Sequence, residues 1–169
     1  DAFLEAEGLD RGSMRLIDAA EAARLYERMG PGREISGGSA ANTAAGLAAL
    51  GVRAGFVGQV AADQLGEVFR HDIRALGVAY DTPAAPADVP TARCLILVTP
   101  DAQRTMNTFL GASQHLNRAA IDLDRVRSAA ILYLEGYLWD PAEPRAAMRA
   151  AIAAAREAGR KVAFTLSDS

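Results

Sequence analysis

Cysteine, lysine, histidine and long apolar runs are all scarce in this sequence, and each shortage excludes something. Cys94 is the single cysteine among 169 residues, which rules out an internal disulfide framework and a multi-cysteine zinc site and favours a reducing, cytoplasmic setting. The two histidines, His71 and His115, stand apart without clustered acids, so no metal-ligand spacing is present and both are expected at the surface. No apolar stretch approaches the roughly 18 residues of a membrane-spanning helix. Charge is balanced, 18 Lys+Arg against 21 Asp+Glu for a net −3, which leaves no basic surface for nucleic acid. Lys161 is the only lysine; the arginines that carry the remaining positive charge are scattered rather than striped, so no function follows from them. What is present, half of the residues hydrophobic and 23 % charged, suits a soluble globular domain able to bury a substantial core. The sequence opens at Asp1 without an initiator methionine or signal-peptide pattern and stops at Ser169 just after an apolar strand-like run, so both ends are expected to be cut.

Periodicity predicts three helices. Residues 63–76 carry Leu65, Val68, Phe69, Ile73 and Leu76 at helical spacing, with Asp63 as N-cap and Gly77 as the stop. Residues 141–158 follow, with Asp140 as cap, Pro141 in the first helical position, Glu143 three residues after the cap and Gly159 as terminator. The third, residues 39–50, is built of small side chains and ends at Gly51. Short apolar runs at 54–60, 130–134 and 162–166 have strand length, and their alternation with helices argues for a mostly parallel sheet covered by helices. The middle differs: 91–99 and 105–109 are β-type runs joined by Pro100-Asp101-Ala102-Gln103, an antiparallel hairpin that follows the Pro/Ala-rich loop 82–90.

The most informative stretch is Gly37-Gly38-Ser39-Ala40-Ala41-Asn42, between a short β-type run ending near Ile35 and the small-residue helix. Paired glycines permit positive φ and close backbone approach, and the helix start offers unpaired N–H groups to an oxygen-rich ligand. Asn42, in the first turn, has donors and an acceptor in one amide and can grip two neighbouring sugar hydroxyls. The alternative is a plain turn with Asn42 as a local cap partner. Glu135, directly after the 130–134 run, falls at a strand's C-terminal end, the edge where open α/β sheets bind ligands; a solvated loop acid is the competing reading. Trp139 either covers a pocket or closes the core. Cys94, in an apolar run, is expected as a buried inert thiol rather than a reactive nucleophile.

The run Gly37-Gly38-Ser39-Ala40-Ala41-Asn42-Thr43-Ala44-Ala45, followed by Gly51, Gly58 and Asp63-Gln64-Leu65-Gly66, resembles the N-terminal signature of the ribokinase-like, or PfkB, carbohydrate kinases. Pro90-Thr91-Ala92-Arg93-Cys94, the hairpin through Arg104-Thr105-Met106, Tyr133-Leu134-Glu135-Gly136-Tyr137-Leu138 and Thr165-Leu166-Ser167 then follow in the order seen in the adenosine kinase branch. The resemblance implies an α/β fold, a three-layer α/β/α sandwich with a small β-stranded lid, of which residues 1–169 are the substrate-binding part and the lid comes from about 11–18 and 91–109. Lid strands are expected antiparallel and the core sheet mainly parallel.

The implied activity is transfer of a phosphoryl group from ATP, with Mg2+, to the 5'-hydroxymethyl of adenosine or a related ribosyl compound held under the lid. A simple sugar such as ribose or fructose is the alternative substrate, and a non-catalytic nucleoside- or sugar-binding module the alternative of another class. By the same resemblance Gly38, Ser39 and Asn42 match positions that contact ribose hydroxyls. Met14 and Leu16 match lid residues over the substrate, Cys94, Phe109 and Tyr137 match positions lining the base or sugar pocket, and Arg104 matches an arginine close to the transferred phosphate. Lid strands in this family either cover the site alone or pair with another subunit, so a monomer and a lid-mediated homodimer are both open. The family's first strand, with its sugar-gripping aspartate, and its Gly-Ala-Gly-Asp motif, which contains the catalytic base, have no counterpart in residues 1–169, so no catalytic residue is assigned here and the chain as given is expected to be inactive.

Overall fold

The structure, a computed structural model, describes residues 1–86 and 88–166. The chain divides into two compact units, one of residues 1–34 with 92–111, the other of residues 35–91 with those from Ala112 onward.

In the first unit, α1 (Ala2–Glu7) stops at Gly8 and buries Leu4. β1 (Met14–Leu16) leads to α2 (Ala19–Arg28), whose N-cap Asp18 accepts the Glu21 N–H at 2.8 Å. Strands β2 (Arg93–Val98) and β3 (Arg104–Phe109) form the predicted antiparallel hairpin, with Arg93 opposite Phe109 and Val98 opposite Arg104. Its turn closes with Ala102 N–H donating to the Thr99 carbonyl at 2.8 Å. β1 departs from expectation, because it runs parallel to β3, with Met14 opposite Met106 and Leu16 opposite Thr108. A hairpin turn forces antiparallel pairing only on the strands it joins, whereas the whole chain from α2 to β2 lies between β1 and β3 and leaves its direction free.

The register sorts this sheet into two faces. Leu95 and Phe109 turn to the helices and pack with Leu4, Leu9, Ile17, Ala22 and Leu25. Met14, Leu16, Cys94, Ile96 and Met106 share the other face, where Leu16 is 61 % and Ile96 45 % exposed. α1 is tied to α2 by Glu7, whose carboxylate lies 2.6 Å from Arg24 Nη1 and 2.7 Å from Arg28 Nε.

The second unit opens with α3 (Ser39–Ala49) and α4 (Gln64–Ala75), both where periodicity predicts them. Small residues let α3 approach closely: Ala41 and Ala44 are buried with Ile73, Val78 and Tyr80. Phe56, Phe69 and Tyr80 add a trio of rings with centroids 5.6–5.7 Å apart. α5 (Leu123–Ser128) is capped by Asp122 and precedes β4 (Ile131–Glu135); α6 (Ala142–Glu157) then crosses to β5 (Lys161–Thr165). β4 and β5 pair in parallel from Ile131 opposite Lys161 to Glu135 opposite Thr165, a β-α-β crossover. α6 turns Ala151, Ala154 and Ala155 toward Val126, Leu132 and Val162.

Three local expectations are corrected. Residues 54–60 form no strand; only a parallel bridge joins Gly55 to Ala79. Their backbone groups go to scattered partners instead of one ladder: the Gly58 carbonyl accepts from the Tyr80 hydroxyl at 2.8 Å and the Val60 carbonyl from Ala85 N–H at 2.9 Å. The residues leading into Gly37, 30–36, form no strand either, and Ile35 is 74 % exposed. Pro141, not Asp140, occupies the N-cap of α6, and the Arg145 guanidinium instead reaches back to the Trp139 and Asp140 carbonyls, each at 3.3 Å.

Candidate functional site

Gly38 is the N-cap of α3 at φ 100°, a conformation that side-chain-bearing residues rarely adopt. With no side chain capping the helix, its first N–H groups face outward from the Gly38 corner. Ser39, the first helical residue, donates its hydroxyl to Glu135 Oε1 at 2.8 Å. Glu135 is the last residue of β4, so the structure sets this carboxylate at the C-terminal edge of a parallel pair, and the loop-acid alternative falls away. Asn42 lies one turn into α3, exposed; its backbone N–H donates to the Gly38 carbonyl at 2.8 Å, and its amide side chain makes no hydrogen bond among the described residues. It is therefore no cap partner. Tyr137 follows in the 3-10 turn Gly136–Leu138 and is 45 % exposed.

One further participant, Tyr133, belongs to the 133–138 run but is assigned no role by the resemblance. The Tyr133 hydroxyl donates to the same Glu135 Oε1 at 3.2 Å. Partial burial first, then this hydrogen bond and the Glu135 charge, push the Tyr133 phenol above its usual value, with Tyr137 adding to the shift. The sequence signal for its contact with Glu135 is spacing: residues two apart on a strand share a face.

A second polar cluster anchors the start of α4. Asp63, the predicted N-cap, accepts from Gly66 N–H at 2.8 Å, from Thr91 N–H at 2.8 Å and from the Thr91 hydroxyl at 2.6 Å. Burial pushes this carboxyl up, but the three donors outweigh it and hold the group below the ordinary carboxylate range. Gly66 is required there, since a Cβ would overlap the Ala61 carbonyl oxygen.

The remaining candidates lie in the first unit. Met14, Leu16, Cys94 and Arg104 fall on the exposed face of its sheet; Phe109 belongs to the opposite, helix-packed face and is 9 % exposed. Cys94 corrects the expectation of a buried thiol. Leu95 takes the inward position, so the neighbouring Cys94 points outward, exposed, with the Thr108 hydroxyl 3.3 Å from its sulfur. Trp139 meets Phe164 edge-on at 5.4 Å with the Arg149 guanidinium 5.6 Å from its ring centre, and neither ring is buried. His71 is exposed and 3.1 Å from Asp72, while His115 is half-buried. Among the described residues no cluster of His, Cys, Asp or Glu could hold a metal ion, and no helix is long and apolar enough to cross a membrane.

Comparison with known proteins matches this arrangement to kinases. An adenosine kinase structure from Sinorhizobium meliloti superposes with a TM-score of 0.93 and 52 % identity, over 99 % of this chain and 51 % of that one. A probable sugar kinase protein from Rhizobium etli CFN 42 gives 0.93 and 50 %, over 99 % and 51 %. A 5-dehydro-2-deoxygluconokinase of Shouchella clausii is 33 % identical across 89 % of this chain and 47 % of its own, so the chain spans about half the length of such relatives. The pfkB family carbohydrate kinase model matches residues 12–169. With its α/β architecture and helix-edge corner, the chain belongs to the pfkB family of carbohydrate kinases.

Proposed function

We propose that the protein transfers a phosphoryl group from ATP to the 5'-hydroxymethyl of adenosine or a related ribosyl compound in the cytoplasm. The observation that carries this reading is the corner at the start of α3, where Ser39 holds Glu135 and the Asn42 amide has no partner among the described residues. A carboxylate accepts from hydroxyls and an amide both donates and accepts, so together they suit the neighbouring hydroxyls of a ribose. Gly38 leaves the backbone open to close approach. In the first unit, the exposed sheet face of Met14, Leu16 and Cys94 would offer a nucleobase apolar contact that a bare sugar lacks, and Arg104 on the same face would suit a phosphate; in the second, Tyr137 stands two residues after Glu135, while Phe109, packed against the helices, is given no ligand role. ATP with Mg2+ would supply the phosphoryl group when bound, and the residues named above would hold the acceptor.

A simple sugar such as ribose or fructose is the second reading, favoured by a 30 % identical relative from Solanum habrochaites named Fructokinase-2. Calorimetric titration of the intact protein with adenosine, inosine, ribose and fructose separates the two. On the first reading a nucleoside binds about tenfold or more tightly than ribose, because the base adds apolar contact that the sugar lacks. Tightest binding of ribose or fructose overturns it in favour of the second. The oligomeric state, monomer or lid-mediated homodimer, follows from light scattering of the same sample.

A further inference from the structure

We infer that Tyr133 is a positioning residue for the Glu135 carboxylate, fixing which of its two oxygens meets a substrate hydroxyl. The inference rests on the proposed role of Glu135 as a hydroxyl acceptor. Tyr133 and Glu135 stand two residues apart on β4 and so share a face. The Tyr133 phenol reaches Glu135 Oε1 at 3.2 Å, and the Ser39 hydroxyl, arriving from α3, reaches the same oxygen at 2.8 Å. Both donors spend themselves on Oε1, while Oε2 has no partner among the described residues. One donor leaves a carboxylate free to rotate about its last bond. Two donors from different elements fix its plane and leave Oε2 as a directed acceptor.

Among the described residues the Tyr133 hydroxyl has no other hydrogen-bond partner. Leu132, its neighbour on the other face of β4, packs with α6, whereas Tyr133 is 43 % exposed. Its phenol stays protonated past neutral pH, because partial burial and the adjoining carboxylate both oppose its ionisation. The chemistry this favours is a neutral hydroxyl at Oε2; an anionic group there would meet the carboxylate's charge.

The test compares dissociation constants of the intact protein and its Tyr133→Phe variant for adenosine, 2'-deoxyadenosine and 3'-deoxyadenosine, with melting temperatures alongside. Wild type is expected to bind adenosine more tightly than at least one deoxy analogue. Tyr133→Phe is expected to weaken adenosine about three- to tenfold, leave that analogue nearly unchanged, and so narrow the preference at an unaltered melting temperature. A wild type that does not distinguish adenosine from either analogue overturns the hydroxyl-accepting role of Glu135, and this inference with it. A wild type that does distinguish them, with the same preference in Tyr133→Phe, overturns the Tyr133 role alone. Equal weakening of all three ligands by Tyr133→Phe also overturns it, since a purely structural hydroxyl would act that way.

Discussion

Ser39 and Glu135 are 96 positions apart in the chain, and the hydroxyl of the first donates to the carboxylate of the second at 2.8 Å. The contact joins the beginning of a helix to the end of a strand, so two local rules meet in one place: a glycine-started helix with open N–H groups, and a parallel strand ending in an acid. Glu135→Ala is expected to weaken ribosyl-ligand affinity about tenfold or more, the scale of a hydrogen bond to a charged group. Ser39→Ala, which removes only support for that group, should weaken it less. Both melting temperatures should stay near wild type, because Ser39 is exposed and Glu135 half-exposed. Calorimetry with adenosine checks the order; a larger effect from Ser39→Ala would contradict it.

Asn42→Ala should cost about 1–3 kcal/mol of binding, as two hydrogen bonds to ligand hydroxyls are lost. Its side chain bonds to nothing in the described protein, so folding should be indifferent to the change. Thermal melts and titrations on the same preparation separate the two effects, and a large fall in melting temperature would reject the assignment.

Asp63 predicts an acid-side instability. Its carboxyl is held below the ordinary value of 3.8 in the folded chain, so it adds stability above that value, and the contribution disappears as pH falls through the lower native one. Asp63→Ala at neutral pH leaves the buried Thr91 donors without an acceptor and α4 without its cap, a loss of about 1–3 kcal/mol. Urea melts from neutral pH down to about pH 2 should show wild type and variant converging toward the acid end. A gap of constant size would show that the ionised Asp63 is not what stabilises the cluster.

Cys94 is the single thiol of residues 1–169 and lies exposed, so a maleimide should label the native protein at Cys94. On the proposed reading adenosine slows that labelling by covering the residue. An unchanged rate at saturating adenosine would remove Cys94 from the ligand-facing surface.

Legibility in the sequence followed the range of the forces involved. α4 and the span of α6 could be read because apolar residues at helical spacing and small or capping residues at their ends are local signals; the placement of Asp63 and Gly159 needed no partner to be known. The hairpin of β2 and β3 was legible for the same reason. The direction of β1 was not, because strand direction depends on a neighbour far along the chain. Residues 54–60 look like a strand by composition, yet a strand exists only where a ladder accepts it, and here Tyr80 and Ala85 take the carbonyls one at a time. Cys94 was misplaced by one step of alternation, since an apolar run does not tell which neighbour faces inward. Gly38, Ser39, Asn42 and Glu135 are singled out by family resemblance and position at element ends, and the structure adds the contacts of Ser39 and Tyr133 with Glu135, which no local pattern announces.

The measurement that bears most directly on the proposed function is ATP-dependent phosphorylation of adenosine by the intact protein, with the site of the new phosphate read by phosphorus NMR. The account predicts adenosine 5'-phosphate as the product, made more efficiently than any phosphate of ribose or fructose, and strongly reduced by Asn42→Ala. A protein that phosphorylates ribose or fructose in preference to adenosine, or that binds adenosine tightly and never transfers phosphate to it, would contradict it.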